Sequence, residues 1–128
     1  MADPGTSLQA ALYARLTAEV SCPTYDAVPM DAAMPYVTID SEMATNASPV
    51  SGRKRASRLL YLSVWSGYRG QREIKQIMAQ IEAALDGRPL TLADGRAFGV
   101  RVERMSTQRD VDGETYQGSI TLKANTQQ

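Results

Sequence analysis

The sequence contains no histidine and only one cysteine, and each scarcity excludes a class of chemistry. Without imidazole there is no Ser-His-Asp or Cys-His catalytic centre, no histidine-ligated metal and no imidazole proton shuttle. The single Cys22 excludes an internal disulfide and any paired-cysteine site. Because Cys22 lies between Ser21 and Pro23, with no basic neighbour to lower the pKa of its thiol, we expect it to be inert.

Long apolar runs are also absent. No stretch approaches the ~18–20 apolar residues that a membrane-spanning helix needs, so we expect no membrane partner. Met1 to Gly5 are acidic and poor in apolar residues, which predicts no secretory signal and a protein made inside the cell. A length of 128 residues predicts one domain, spanning 1–128, that folds without a disulfide, metal or cofactor.

The chain has no net charge, because 14 basic residues balance 14 acidic ones. This balance argues against a protein that coats nucleic acid, whose affinity would come from neutralising phosphates. The charges are nevertheless segregated along the chain: residues 1–52 carry −5, residues 53–72 carry +6 and the remainder carries −1. A neutral chain with segregated charge suits head-to-tail self-association, since one surface can meet its opposite on a neighbour.

Periodicity predicts the elements of the first half. Thr6 to Gln9 is typical of a capping box, and a helical apolar stripe follows it. Three prolines make residues 21–35 an extended connection, after which residues 36–40 alternate as a strand. Residues 44–57 are small, polar and basic, and predict a flexible loop. Residues 58–66 have apolar groups on both faces, which predicts a central strand.

The second half begins with a helix and continues as strands. The apolar face of the helix comprises Ile74, Ile77, Met78, Ile81, Ala84 and Leu85, and Gly87 marks its end. Strands are predicted at 90–92, 98–105 and 116–122, with turns at Asp94-Gly95 and Asp112-Gly113. The resulting fold class is α+β: a mainly antiparallel sheet of four to five strands with two helices packed on one face.

No motif predicts a reaction or a cofactor. The sequence has neither a dinucleotide-binding nor a phosphate-loop glycine pattern. Asp110 to Glu114 superficially resembles a calcium loop, but the alignment puts Gln108 and Ser119 at its first and last ligand positions, so we expect an ordinary turn. Converging carboxylates would permit a small hydrolase, although none has a distinctive setting. We therefore expect a protein that is not an enzyme.

Two segments are candidates for contact with a partner. The first is the basic stretch that contains Arg53, Lys54, Arg55 and Arg58. It is either a solvated connection or a segment that orders against an acidic protein surface or a phosphate backbone.

The second segment leads from the central strand into the second helix. Its Trp65 is expected in the core, whereas Tyr68, Arg69 and Arg72 are of residue types enriched at interface hot spots. The competing interpretation is a helix cap, with Glu73 favourable at the helix N-terminus.

At this second segment the sequence resembles a known family. The early helix Leu8 to Leu16 and the strand Pro35 to Ile39 are followed by Leu62-Ser63-Val64-Trp65-Ser66 and Gly70-Gln71-Arg72-Glu73. Together they resemble the tail-completion, or tail terminator, proteins of siphophages, prophages and gene transfer agents. The resemblance covers roughly residues 7–122.

The resemblance implies a structural protein without catalytic residues. Such proteins form a homohexameric ring on the head-proximal end of the tail tube, stop tube polymerisation and provide the head-joining surface. The implied partners are further copies of the chain, the tail tube protein and a head-completion or connector protein, with DNA only passing through the lumen. The chain would be made in the bacterial cytoplasm and incorporated at the head–tail junction. The alternative is a neck component that contacts DNA through the basic loop.

Overall fold

The computed structural model describes residues 4–50, 52 and 54–128. Across them the chain forms α1 (Pro4–Glu19), β1 (Thr24–Tyr25), β2 (Tyr36–Asn46), β3 (Arg55–Ser66), α2 (Arg72–Leu85), β4 (Arg96–Arg109) and β5 (Tyr116–Gln127). In the described residues, the five strands form one sheet in the order β1-β2-β3-β5-β4. All pairings are antiparallel except the short parallel contact of β1 with β2. The predicted α+β class, its mainly antiparallel sheet and the central position of the strand after residue 58 are confirmed.

Both helices pack on one face of this sheet. Each helix contributes an apolar stripe, and all six residues predicted for the apolar face of α2 are buried. They meet the inward side chains of β3 and β5, and the core formed in this way includes Leu8, Leu12, Leu16, Ile74, Ile81, Leu60, Leu62, Val64, Ile120 and Leu122. Apolar burial on this face is the main source of stability that the fold has.

The opposite face of the sheet, here called the open face, has no helix packed on it among the described residues. Trp65 lies on this face, because strand side chains alternate and Leu62 and Val64 point into the core. It is half-buried, and its indole Nε1–H donates to Thr38 Oγ1 at 3.3 Å. The expectation that Trp65 is a core residue is therefore wrong.

The predicted flexible loop at 44–57 is shorter than expected, because β2 continues to Asn46 and β3 begins at Arg55. Small polar residues extend both strands since their backbone groups find partners: Ala44 pairs with Arg58, and Asn46 with Ala56. The connection is also tied by side chains, as Ser48 Oγ accepts the Arg55 N–H at 2.9 Å. Ladder pairing, which composition does not reveal, overrides the loop-like sequence.

Three smaller expectations also fail. Helix α1 begins at Pro4, so Thr6 lies inside its first turn instead of capping it; proline is well suited to this start because its missing N–H needs no partner there. Residues 90–92 form no strand. Within the predicted extended connection, Thr24 and Tyr25 pair with β2 as β1.

In β4 the predicted alternation is interrupted by two irregularities in its register with β5. The first lies between Phe98 and Arg101, where Gly99 adopts a φ of 61°. Each extra residue reverses the face on which the following side chains lie. Val100, after the irregularity, is consequently buried on the same face as Ala97, while Phe98 is only half-buried, and the predicted common face of Phe98, Val100 and Val102 does not form.

Candidate interaction surfaces

The candidate contact residues lie at the two opposite ends of β3. Lys54 and Arg55 are at its start, whereas Tyr68, Arg69 and Arg72 follow its last residue. A strand of 12 residues at ~3.3 Å per residue separates the two groups by about 36 Å. We call the end of the sheet with Lys54 and Arg55 the hairpin end, after the β2–β3 hairpin, and the end with Tyr68, Arg69 and Arg72 the turn end. Arg53, also predicted for the first group, lies outside the described residues.

At the hairpin end, Lys54 and Arg55 are exposed but their backbone is anchored. The Lys54 carbonyl accepts the Gln128 N–H at 3.0 Å, and the Arg55 guanidinium Nε–H donates to Gln127 Oε1 at 3.1 Å. The end of β5 therefore holds this segment in place. The cationic groups remain accessible to a partner.

Arg58 is not part of this accessible group, because it is buried on the core face of β3. Its Nε–H donates to Thr126 Oγ1 at 2.9 Å, and its Nη1 donates to Glu42 Oε2 at 2.9 Å. Both pairs join strands that flank β3, so Arg58 cross-links the sheet from within. Its assignment to a partner surface is a correction that the strand geometry requires: residue 58 shares the inward face with residues 60, 62 and 64.

Arg96 also belongs to the hairpin end, although it lies far along the sequence from the basic stretch that contains Lys54 and Arg55. Arg55 and Arg96 both pair with Gln127, from opposite sides of β5. The Arg96 guanidinium lies over the Phe98 ring, 5.2 Å from its centroid, which orients the cation on the open face. The signal was available as four arginines within β4, but they are spread along the strand and form no contiguous run.

At the turn end, two hydrogen bonds fix the path from β3 into α2. Ser66 Oγ–H donates to Glu73 Oε1 at 2.7 Å and accepts the Tyr68 N–H at 3.2 Å. Glu73 lies in the first turn of α2, where its charge is favourable, but among the described residues no side chain forms the predicted cap, because Gln71 at the N-cap makes no capping hydrogen bond from its side chain. Tyr68, Arg69 and Arg72 are left exposed on the surface of the turn.

Arg69 lines a groove of about 460 Å³ together with residues from the β4–β5 hairpin, including Arg109, Glu114 and Tyr116. The Arg109 guanidinium donates to Tyr116 Oη at 2.9 Å from Nη2 and lies 5.5 Å from the ring centroid. Because hairpin pairing places Arg109 opposite Tyr116, no local sequence motif points to this contact. The turn end therefore has a mixed cationic and aromatic surface.

Neither end has the donor set of a metal or nucleophilic site. Within residues 4–50, 52 and 54–128 no three His, Cys, Asp or Glu residues group in a way that could hold a metal ion. Burial raises the pKa of the Cys22 thiol, which disfavours its thiolate. Asp112 accepts the N–H groups of Glu114 and Thr115, as in an ordinary hairpin turn. None of the described helices is long and apolar enough to cross a membrane.

Comparison with known proteins identifies the family. The family described as Tail completion protein gp17 matches residues 8–127. The chain belongs to this family. The resemblance noted from the early helix, the Val-Trp-Ser strand and the Gly-Gln-Arg-Glu segment is confirmed.

Among solved structures, this tail completion family member is similar to a chain of the structure titled "Virion of native gene transfer agent (GTA) particle". The two share 27% sequence identity, each is covered over 100% of its length, and the TM-score is 0.90. A search of curated protein sequences finds no match.

The residues that carried the resemblance have a structural role in this tail completion protein. Ser66 ends β3 and Glu73 lies in the first turn of α2, and their hydrogen bond joins the two motifs. The motifs therefore shape the turn end. The basic hairpin end lies outside them.

Proposed function

We propose that this tail completion protein is a tail terminator, a structural subunit that assembles into a ring on the tail tube and stops its polymerisation. The observation that carries the proposal is the placement of two different exposed surfaces at opposite ends of one strand. A terminator must present one surface to the tube and another to the head. Family membership and the similarity to a chain of a gene transfer agent virion support this assignment.

The hairpin end is the surface proposed to meet the tube. Lys54, Arg55 and Arg96 project cations there, and no ion pair occupies them among the described residues. Arginine suits such a contact because its planar fork binds carboxylates with two parallel hydrogen bonds. Arg53, from the same basic stretch, is included in this proposal on its sequence position alone.

The turn end is the surface proposed to meet the head-completion or connector protein. Tyr68 and Arg69 offer an aromatic ring and a guanidinium on a turn that Ser66 and Glu73 hold rigid. A rigid turn loses little entropy on binding, so its contacts contribute more fully to affinity. The chain acts by binding alone and carries out no reaction, as expected for a particle component.

Two variants test the proposal and serve as controls for each other. One replaces Arg53, Lys54 and Arg55 with Ser, and the other replaces Arg69 and Arg72 with Ser. The hairpin-end variant should give tails of uncontrolled length, because capping fails. The turn-end variant should give tails of normal length that do not join heads.

Tail lengths and head joining are measured by electron microscopy of particles produced with each variant, after circular dichroism shows that both fold normally. Normal, head-joined tails from both variants would refute the proposal. So would the same defect from both, since the two ends would then not have separate partners.

A neck component that contacts DNA is the second candidate, and one observation favours it. Arg101, Arg104 and Lys123 lie on the open face of the sheet, where Arg101 pairs with Lys123 across neighbouring strands. DNA contact through these residues predicts binding whose log–log salt slope is about one unit per phosphate neutralised. A terminator that only lets DNA pass predicts little affinity for free duplex at any salt concentration.

A further inference from the structure

Strand β2 has an unpaired outer edge along most of its length. β1 covers it only at Val37 and Thr38. From Asp40 to Asn46, no strand among the described residues pairs with that edge, and all seven residues are exposed. At ~3.3 Å per residue, this leaves an edge of about 23 Å with free backbone donors and acceptors.

Strand β4, at the other side of the sheet, has a matching unpaired edge. Its first half is closed by the end of α2, where Gly87 N–H donates to the Val100 carbonyl and Asp86 Oδ1 accepts the Val102 N–H. From Glu103 to Arg109, no described strand covers it. The two open edges therefore have the same length of seven residues.

The two edges carry opposite charge. On the open stretch of β2, residues 40–46, the charged residues are Asp40 and Glu42, both acidic, and Glu42 is already paired with Arg58 of β3. On the open stretch of β4, residues 103–109, the charged residues are Arg104, Arg109 and Glu103, which gives a net charge of +1. Charges that merely protected an edge against aggregation could have either sign. Because the two edges differ in sign, the β2 edge of one copy attracts the β4 edge of another, whereas two β2 edges or two β4 edges repel each other.

We infer that the β2 edge of one subunit pairs with the β4 edge of a second copy of this chain, so that the sheet continues from subunit to subunit. The contact is heterologous, because two different edges meet, and a heterologous contact gives a closed ring when its rotation closes, as the proposed terminator requires. The inference rests on the proposed terminator ring and specifies its subunit interface. Hydrogen bonds between backbones provide the contact, and the charges select the unlike edge.

The direction of pairing follows from the topology together with a ring axis parallel to the strands, which is part of this inference. β2 and β4 are antiparallel to each other within the sheet, since each of the intervening pairings reverses direction. Rotation about an axis parallel to the strands preserves strand direction. The junction between subunits is therefore antiparallel, and it leaves the hairpin end and the turn end on the two opposite rims of the ring.

Disulfide cross-linking tests this junction. Ser41 and Ser106 are exposed, lie on the open face and belong to the β2 and β4 edges respectively. We combine Ser41→Cys with Arg104→Cys, Ser106→Cys or Gln108→Cys in three double variants. These positions sample the register, because same-face neighbours across strands lie ~5 Å apart and diagonal ones ~7–8 Å. The native Cys22 is buried and does not interfere.

Oxidation of the purified chain, and of lysates in which tails assemble, should give a ladder of covalent oligomers in at least one double variant. Each variant with only one introduced cysteine should remain monomeric on a non-reducing gel. Adding Arg104→Glu to the cross-linking pair at residues 41 and 106 should reduce the ladder about tenfold, as expected when like charges oppose association. Lys123→Glu, on the same face but one strand inward, is the matched control and should leave the ladder unchanged.

Efficient dimers of Ser41→Cys alone would overturn the inference, because they require like edges to meet. Absence of a ladder from all three double variants, in both preparations, would also overturn it. Tail length separates this result from the proposed function. A ladder together with uncapped tails would support the junction and refute the terminator function. Capped tails without a ladder would refute the junction and support the terminator function.

Discussion

Replacing Arg58 with alanine tests whether this arginine stabilises the fold or belongs to a partner surface. It lies within the most basic stretch of the sequence, yet its side chain is only 11% exposed. Arg55, three residues earlier, is exposed and is the natural control. We expect Arg58→Ala to destabilise the protein markedly and Arg55→Ala to change its stability by no more than ~0.5 kcal/mol.

The magnitude follows from the partners that the substitution leaves behind. Thr126 is 1% exposed, so losing its donor strands a buried hydroxyl at a cost of ~1–3 kcal/mol. Glu42 retains 31% exposure of its side chain and can regain water, so its loss falls below the ~3–5 kcal/mol of a fully buried ion pair. Together these effects give about 2–4 kcal/mol. For a domain of this size, that lowers the melting temperature by about 10 °C.

Urea unfolding followed by circular dichroism measures this difference, with the slope of the transition compared between variants. Arg58→Lys should lie between wild type and Arg58→Ala, since an ammonium retains the charge but not the fork that reaches both Thr126 and Glu42. If Arg58→Ala unfolds at the wild-type midpoint, the internal cross-link contributes nothing and the reasoning fails.

Three further predictions concern the packing of the core and the dependence of stability on acid pH. Gly118→Ala should lower the free energy of unfolding by ~1–2 kcal/mol, because the added Cβ would lie 2.6 Å from Met78 Sδ. Gly67→Ala is the control: its Cβ meets only an ordinary contact, and the same urea assay should show almost no change. Leu62→Ala should cost ~2–5 kcal/mol, well above any change from the half-buried Leu59→Ala. The pKa of Asp112 is lowered, chiefly by the N–H of Thr115, so its contribution is present above its unfolded-state pKa and disappears as the pH falls through the folded value. Thermal melts of Asp112→Asn should therefore differ from wild type at neutral pH and converge with it in acid, and a constant difference would contradict this assignment.

The fold was largely predictable because its apolar pattern is regular where the core forms. The spacing from Ile74 to Leu85 predicts the buried face of α2, and the run from Leu60 to Val64 predicts a central strand. Prediction failed where backbone pairing acts without an apolar signal. Asn46 and Arg55 continue a ladder in spite of their loop-like setting, and the irregularity after Phe98 breaks the alternation that a period of two assumes.

The candidate surfaces were predictable only in part, because residues were grouped along the chain instead of across the sheet. Lys54 and Arg55 are exposed as expected, but Arg58 points into the core because it lies two residues before Leu60 and therefore on the same face of β3. Arg96 and Arg109 were missed because their position depends on the pairing of β4 with β5, which places Gln127 opposite Arg96 and Tyr116 opposite Arg109. Short motifs identify local turns, such as the one that Ser66 and Glu73 hold, but not partners across strands.

The charges are grouped differently on the folded sheet than along the sequence. Of the six basic residues in 53–72, Lys54 and Arg55 lie at one end of β3, Arg69 and Arg72 follow its other end, and Arg58 is buried between them, whereas Arg53 lies outside the described residues. The remaining segment appeared nearly neutral because the arginines of β4 were counted with the acidic turns at 94 and 110–114. Once the turns are separated from the strand, a basic edge lies across the sheet from an acidic one. Opposed edges of this kind favour head-to-tail association and disfavour like-edge dimers, which is how a chain with zero net charge would select the orientation of its neighbour in the proposed ring.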